Sequence, residues 1–219
     1  MKNMWWKIAG LVLVLYSLIA GLLIRVPDLP VIHESIRNIF YHVCMWFNLL
    51  ILLSISCINA VRYLAGFNEK FDLRSVEAAS TGVFFGLLGL VTGSIWARFS
   101  WGVFWTNDPQ LNGASASMLI YGAYFVLRKS VNDEEKRARI SAVYNIFAYV
   151  MMIIFLLILP KLAQGSVHPG KGGNPMALTD LDATMRLVFY PAVVGWIFVG
   201  IWIYQIKLRI RIAKEINGL

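Results

Sequence analysis

WARFSWGVFWTNDPQLNG, residues 96–113, decides how the rest of the chain is read. Three of the eight tryptophans, Trp96, Trp101 and Trp105, fall within ten residues here, with Phe99 and Phe104 between them. Aromatic rings at the edge of a bilayer are ordinary anchors. A cluster this dense exceeds what anchoring needs and suggests a flat apolar platform for a flat apolar ligand. Apolar stretches lie on both sides of it, about residues 78–97 before and 109–127 after, and each is long enough to cross a bilayer. Asp108-Pro109 has the form of a helix N-cap followed by proline at the first helical position, so Asp108 is expected to cap the helix after the loop. No acid, nucleophile or metal motif nearby gives it an acid–base role. If residues 101–107 form a short helix, Trp101 and Trp105 share one face.

Working outward, the same alternation repeats. Of the 219 residues 58% are hydrophobic and only 15% charged, far below the charge of a soluble domain of this size. Six spans are expected, at about 8–24, 39–61, 78–97, 109–127, 140–159 and 187–206, making one all-α, polytopic membrane domain over residues 1–219. The first span has no small-residue cleavage site after it and reads as a helix that is retained. Gly82, Gly86, Gly89 and Gly93 share a face of the third span, which lets a neighbouring backbone approach. The fourth span is rich in Gly, Ala and Ser and should be buried among other helices. The connector 62–77, with Glu69, Lys70, Asp72 and Arg74, reads as a solvated face. Pro160 is expected to close the fifth span and Pro191 to kink the sixth.

The formal net charge of +8 excludes little by itself, but its distribution does. Basic residues gather at the ends of apolar segments, as the positive-inside rule requires, and not on one nucleic-acid-binding face. Connectors at 62–77 and 128–139 and both termini carry most of them. The opposite side has only Arg25, Arg37, Arg98, Lys161, Lys171 and Arg186. Both termini are therefore expected in the cytoplasm and the tryptophan loop outside. Cys44 and Cys57 lie roughly 20 Å apart along one helix, too far for a disulfide. No C-x-x-C, C-x-x-C-H or P-loop occurs, which argues against a thiol oxidoreductase, a c-type cytochrome and an ATPase.

Trp101-Gly102-x-x-Trp105-x-x-Asp108-x-x-Leu111 resembles the tryptophan-rich WWD signature of heme-handling membrane proteins of cytochrome c assembly. The preceding Thr92-Gly93-Ser94-Ile95-Trp96 resembles the run before that signature in the CcmC branch. Phe104, Asn107, Gln110 and Asn112 depart from the family's usual Trp, Trp, Arg and Thr. Phe40-Tyr41-His42-Val43 resembles the family's histidine-bearing entry to the second helix. His168, followed by glycine in the loop 161–186, and Asp182-Ala183-Thr184-Met185-Arg186 resemble the run into its last helix. On residues alone, His42 reads as an interfacial histidine bonded to a neighbouring helix, and His168 as a solvated loop histidine. The resemblance instead implies that both are axial ligands of one heme.

The resemblance thus implies a b-type, non-covalently held heme on the outer face of a bacterial inner membrane. Its site would comprise His42, His168, Trp96, Trp101, Phe104 and Trp105, with the two histidines on the iron. Imidazole suits heme iron and indole faces suit the macrocycle. Arg37, Arg98, Lys171 or Arg186 would meet the propionates, and the residues do not choose among them. His33 matches no family motif and reads as solvated. Presentation of heme to a CcmE-like chaperone is implied, beside CcmAB-like ABC transporter subunits and a small single-span subunit, with no bond-forming catalysis by this chain. Two other readings stand beside it: a permease or scaffold subunit that binds no heme, and a CcsA-like heme lyase component.

Overall fold

The computed structural model describes residues 4–28, 32–163, 166, 168 and 181–217. Among these residues every regular element is helical. Helix α1 is Trp5–Leu23, and a 3₁₀ turn, His33–Asn38, leads into α2, Ile39–Gly66. Helix α3 is Glu69–Trp101, α4 Pro109–Ser130 and α5 Glu134–Ile153. A π-helical stretch, Ile154–Ile158, joins α5 to the short α6, Leu159–Leu162, and α7 is Ala183–Ile216. Among the described residues five helical stretches are long and apolar enough to cross a bilayer, by length and composition. The 22 residues of α4 span about 33 Å, also enough, but its Gly, Ala, Ser and Asn content lowers its hydropathy. It lies against α5, with Gly113, Ala114, Ser117, Met118, Tyr121 and Tyr124 buried. This is the architecture of a polytopic, all-α membrane protein.

Side chains set the helix boundaries. Asn68, Asp108, Asp133 and Asp182 each accept a backbone N–H of the first turn that follows, capping α3, α4, α5 and α7. Helix α3 stops at Gly102, whose φ of +79° is the left-handed turn that glycine adopts without strain. That stop has a consequence for the loop. Residues 102–108 are not helical, so the condition under which Trp101 and Trp105 would share a helix face is not met. Pro160 does not end its helix either. It lacks the N–H that would bond the carbonyl four residues back, and the ladder widens into the π stretch just before it.

The connector 62–77 differs most from its expected form. Helix α2 continues to Gly66 and α3 begins at Glu69, leaving Phe67 and Asn68 as the turn. Glu69, Lys70 and Arg74 are exposed, but Asp72 is buried and makes a bidentate pair with Arg128 of α4, at 2.8 and 2.5 Å. A partner 56 residues away, invisible to local charge pattern, removes Asp72 from solvent. Pro191 lies inside α7, which runs unbroken through it.

Helix α2 is the centre of the packing. Helix α3 lies along it, α7 covers one side backed by α1, and α5 covers the other backed by α4. The glycine stripe of α3 determines how closely α3 and α2 meet. A Cβ at Gly82 would touch Leu53 and Leu52, at Gly86 Leu49, at Gly89 Trp46 and at Gly93 His42. Antiparallel α2 thus presents Leu53, Leu49, Trp46 and His42, at helical spacing, to the four glycines in turn. The last two of these contacts belong to the site.

Candidate functional site

A cavity opens at the end of the bundle where α2 begins and α3 ends. The space between its walls is about 770 Å³, counting the part open to solvent. His42, Trp46, Gly89 and Gly93 form its α2–α3 wall. Trp96, Trp101 and Trp105 come from the end of α3 and the loop after it, and Gln110, Leu111 and Ala114 from the start of α4. Leu156 and Leu157 of the π stretch, together with His168, complete it. Five of the six residues read from the sequence are therefore brought together. Phe104 is not: it is 60% exposed, does not line the cavity, and carries the Arg98 guanidinium 5.9 Å from its ring centre.

The two histidine rings lie 6.5 Å apart between centres, tilted by 40°. His42 is fixed from two sides. Its Nδ1 lies 3.1 Å from Thr92 Oγ1, and its Nε2 accepts the Trp46 indole N–H at 3.2 Å. Gly93 makes room for the ring, since a Cβ there would lie 2.7 Å from His42 Cε1. His168 is held through its backbone. Its N–H donates to Ser166 Oγ at 3.2 Å, and Ser166 Oγ donates to the Asp108 carboxylate at 3.0 and 3.3 Å. Asp108 is 4% exposed and also accepts the Gln110 N–H at 2.8 Å. The expected cap is thus present, and the same carboxylate ties the tryptophan loop to the segment bearing His168. The remainder of the 164–180 loop, Lys171 included, lies outside the described residues.

The tryptophans are positioned by donors and edges. Trp96 and Trp101 meet edge to face, with centres 5.0 Å apart at 76°. The Trp96 indole N–H donates to Ser35 in the 3₁₀ turn, at 3.1 Å to both its carbonyl and its hydroxyl. Trp105 donates to Asn112 Oδ1 at 3.3 Å, and Asn112 Nδ2 donates to Asn107 Oδ1 at 2.7 Å. Asn107 and Asn112, two of the departures from the WWD pattern, thus form a bracket that orients Trp105.

Among the described residues the cavity lining contains no Lys or Arg. Arg37 donates to the carbonyls of Gly21 and Ile24 at the end of α1 and pairs with Glu34. Arg186 Nε donates to Leu181 O, and Arg98 to Gly102 O. His33 pairs with Asp28 at 2.7 Å and stays largely exposed, away from the cavity lining. Among the described residues no group of three or more His, Cys, Asp or Glu is placed to hold a bare metal ion. What the arrangement offers is two imidazoles and an aromatic wall. Trp46, Thr92 and Ser166 were not read from the sequence as site residues. Trp46 could have been found from its i, i+4 relation to His42, whereas Thr92 and Ser166 reach the histidines only through the fold.

Comparison with known proteins agrees with these motifs. Heme exporter protein C of Paracoccus denitrificans is 22% identical over 181 residues, 83% of this chain and 75% of that protein. The cytochrome c biogenesis protein CcsA of Prochlorococcus marinus MIT 9515 is 35% identical over 88 residues, 40% of this chain. That match covers only 28% of CcsA's length. A ccmC-like mitochondrial protein of cytochrome c biosynthesis from Marchantia polymorpha is 37% identical over 89 residues, 40% of this chain and 39% of that protein. The family model of CcmC, heme exporter protein C, matches residues 1–217, and the chain belongs to that family.

Proposed function

We propose that the chain binds heme, non-covalently and as b-type heme, between His42 and His168 at the outer face of a membrane, and presents it to a heme chaperone during c-type cytochrome maturation. The observation that carries this is the convergence of two histidines, far apart in sequence, on one cavity walled by Trp96, Trp101 and Trp105. Two imidazoles bonded to one iron from opposite sides, each at roughly 2 Å, have ring centres roughly 6 Å apart. The pair here stands at 6.5 Å. Heme is the cargo, and its iron supplies the bonding. The protein supplies the ligand nitrogens, an apolar wall and a fixed orientation for His42. Among the described residues no Lys or Arg lines the cavity, so the propionates are left to Lys171, to solvent or to a partner.

The chain works, in this reading, in a bacterial inner membrane with six crossings and cytoplasmic termini. Its partners are a CcmE-like chaperone, CcmAB-like transporter subunits and a small single-span subunit. An absorption spectrum of the purified protein tests the core of the proposal. A Soret band with a six-coordinate, low-spin pattern is expected, lost or converted in His42→Ala and His168→Ala and kept in His33→Ala. Absence of any Soret band after hemin loading would leave a scaffold subunit as the reading.

A further inference from the structure

The hydrogen bonds around His42 fix more than its orientation. An indole N–H can only donate, so His42 Nε2, 3.2 Å from Trp46 Nε1, must supply a lone pair. In a neutral imidazole the proton then sits on Nδ1. The other side of the ring agrees. Nδ1 is 3.1 Å from Thr92 Oγ1, and Thr92 has carbonyls of its own helix, Leu88 at 2.8 Å and Gly89 at 3.1 Å, to receive its single hydroxyl proton. Its oxygen is left to accept from Nδ1–H. Donation therefore runs one way, from Trp46 to His42 to Thr92 to the α3 backbone.

The one lone pair that the neutral His42 ring can offer a metal is thus the one already engaged by Trp46. We propose that Trp46 is a displaceable guard on His42. Its indole N–H and a heme iron compete for the same nitrogen, so loading turns Trp46 aside and its return favours release. This rests on the reading of His42 as a heme ligand. The placement of Trp46 fits such a role. It lies one helical turn from His42, lines the same cavity, and rests against Gly89, where a Cβ would come within 2.8 Å of the indole. A protein that delivers its cargo gains from a built-in competitor that weakens the hold without removing the ligand.

Trp46→Phe keeps an aromatic ring and removes the donor. Wild type and variant, in lipid nanodiscs and loaded with hemin, would be mixed with excess apomyoglobin and heme transfer followed by absorbance. Release about fivefold slower in Trp46→Phe, the weight of one ordinary hydrogen bond, is expected. Unchanged or faster release overturns the proposal. A second arm uses no heme. In the empty wild-type protein, ¹⁵N spectra of labelled histidine, with His42 assigned by its loss in His42→Gln, should show the Nδ1–H tautomer. The Nε2 resonance should move in Trp46→Phe. An Nε2–H tautomer in the wild type overturns the guard whatever the transfer rates. Failure of the wild type to take up hemin at all would instead strike the proposed function, and the tautomer arm tells the two failures apart.

Discussion

At the scale of single residues, room and tethering matter more than the identity of the ligand alone. Gly93 borders the ring of His42 so closely that Gly93→Ala must push it off Thr92. Gly122, with nothing within 4 Å of an added Cβ, is the control. Gly93→Ala is expected to accumulate in the membrane, yet lose the six-coordinate heme spectrum, whereas Gly122→Ala should match the wild type. Equal spectra for the two would mean that the position of His42 does not depend on the glycine. Asp108 carries two jobs that separate by mutation. Ser166→Ala leaves the α4 cap intact and cuts the link to His168, so it should reduce hemin occupancy with little change in stability. Asp108→Ala should lose the same occupancy and a further ~1 kcal/mol or so for the missing cap. If Ser166→Ala holds hemin as the wild type does, the tether is dispensable.

At the scale of elements, two contacts set how α4 is placed. Near the cavity, a side chain at Gly113 would collide with the carbonyl of Phe155 in the π stretch. Gly113→Ala should cost about 1–3 kcal/mol, read as a lower melting temperature in detergent, because backbone cannot move aside as a flexible side chain can. At the other end, the Asp72–Arg128 pair joins α3 to α4 with side chains only 12% and 11% exposed. Arg128→Met alone strands a buried carboxylate and should destabilise by about 3–5 kcal/mol. The double variant Asp72→Asn, Arg128→Met should recover much of that loss, since no uncompensated charge remains. A double variant no more stable than the single one would show that the pair's value lies in its geometry and not in its charge.

At the scale of the whole molecule, the distribution of Lys and Arg predicts which end of the bundle faces out. In a background lacking Cys44 and Cys57, an impermeant thiol reagent added outside intact cells should label Gly172→Cys and spare Asn132→Cys. The reverse pattern would place the cavity on the cytoplasmic side and end the presentation reading.

Hydropathy alone determined that the chain is a helical membrane protein, because a bilayer leaves the backbone few choices and demands long apolar runs. The cap at Asp108 was equally local and legible, as was the aromatic loop, whose composition sits within a dozen residues. The tertiary structure decided what no local pattern carries. It buried Asp72 against a residue on another helix, set the α3 glycines against Leu53, Leu49, Trp46 and His42, and left Phe104 outside the cavity to which the family resemblance assigns it. It also brought His42 and His168, 126 positions apart, to 6.5 Å. Sequence spacing fixes which side chains share a helix face, since the helical period is a property of the backbone. Which face meets which depends on where small residues let two backbones come close, and that is settled only when all the helices pack at once.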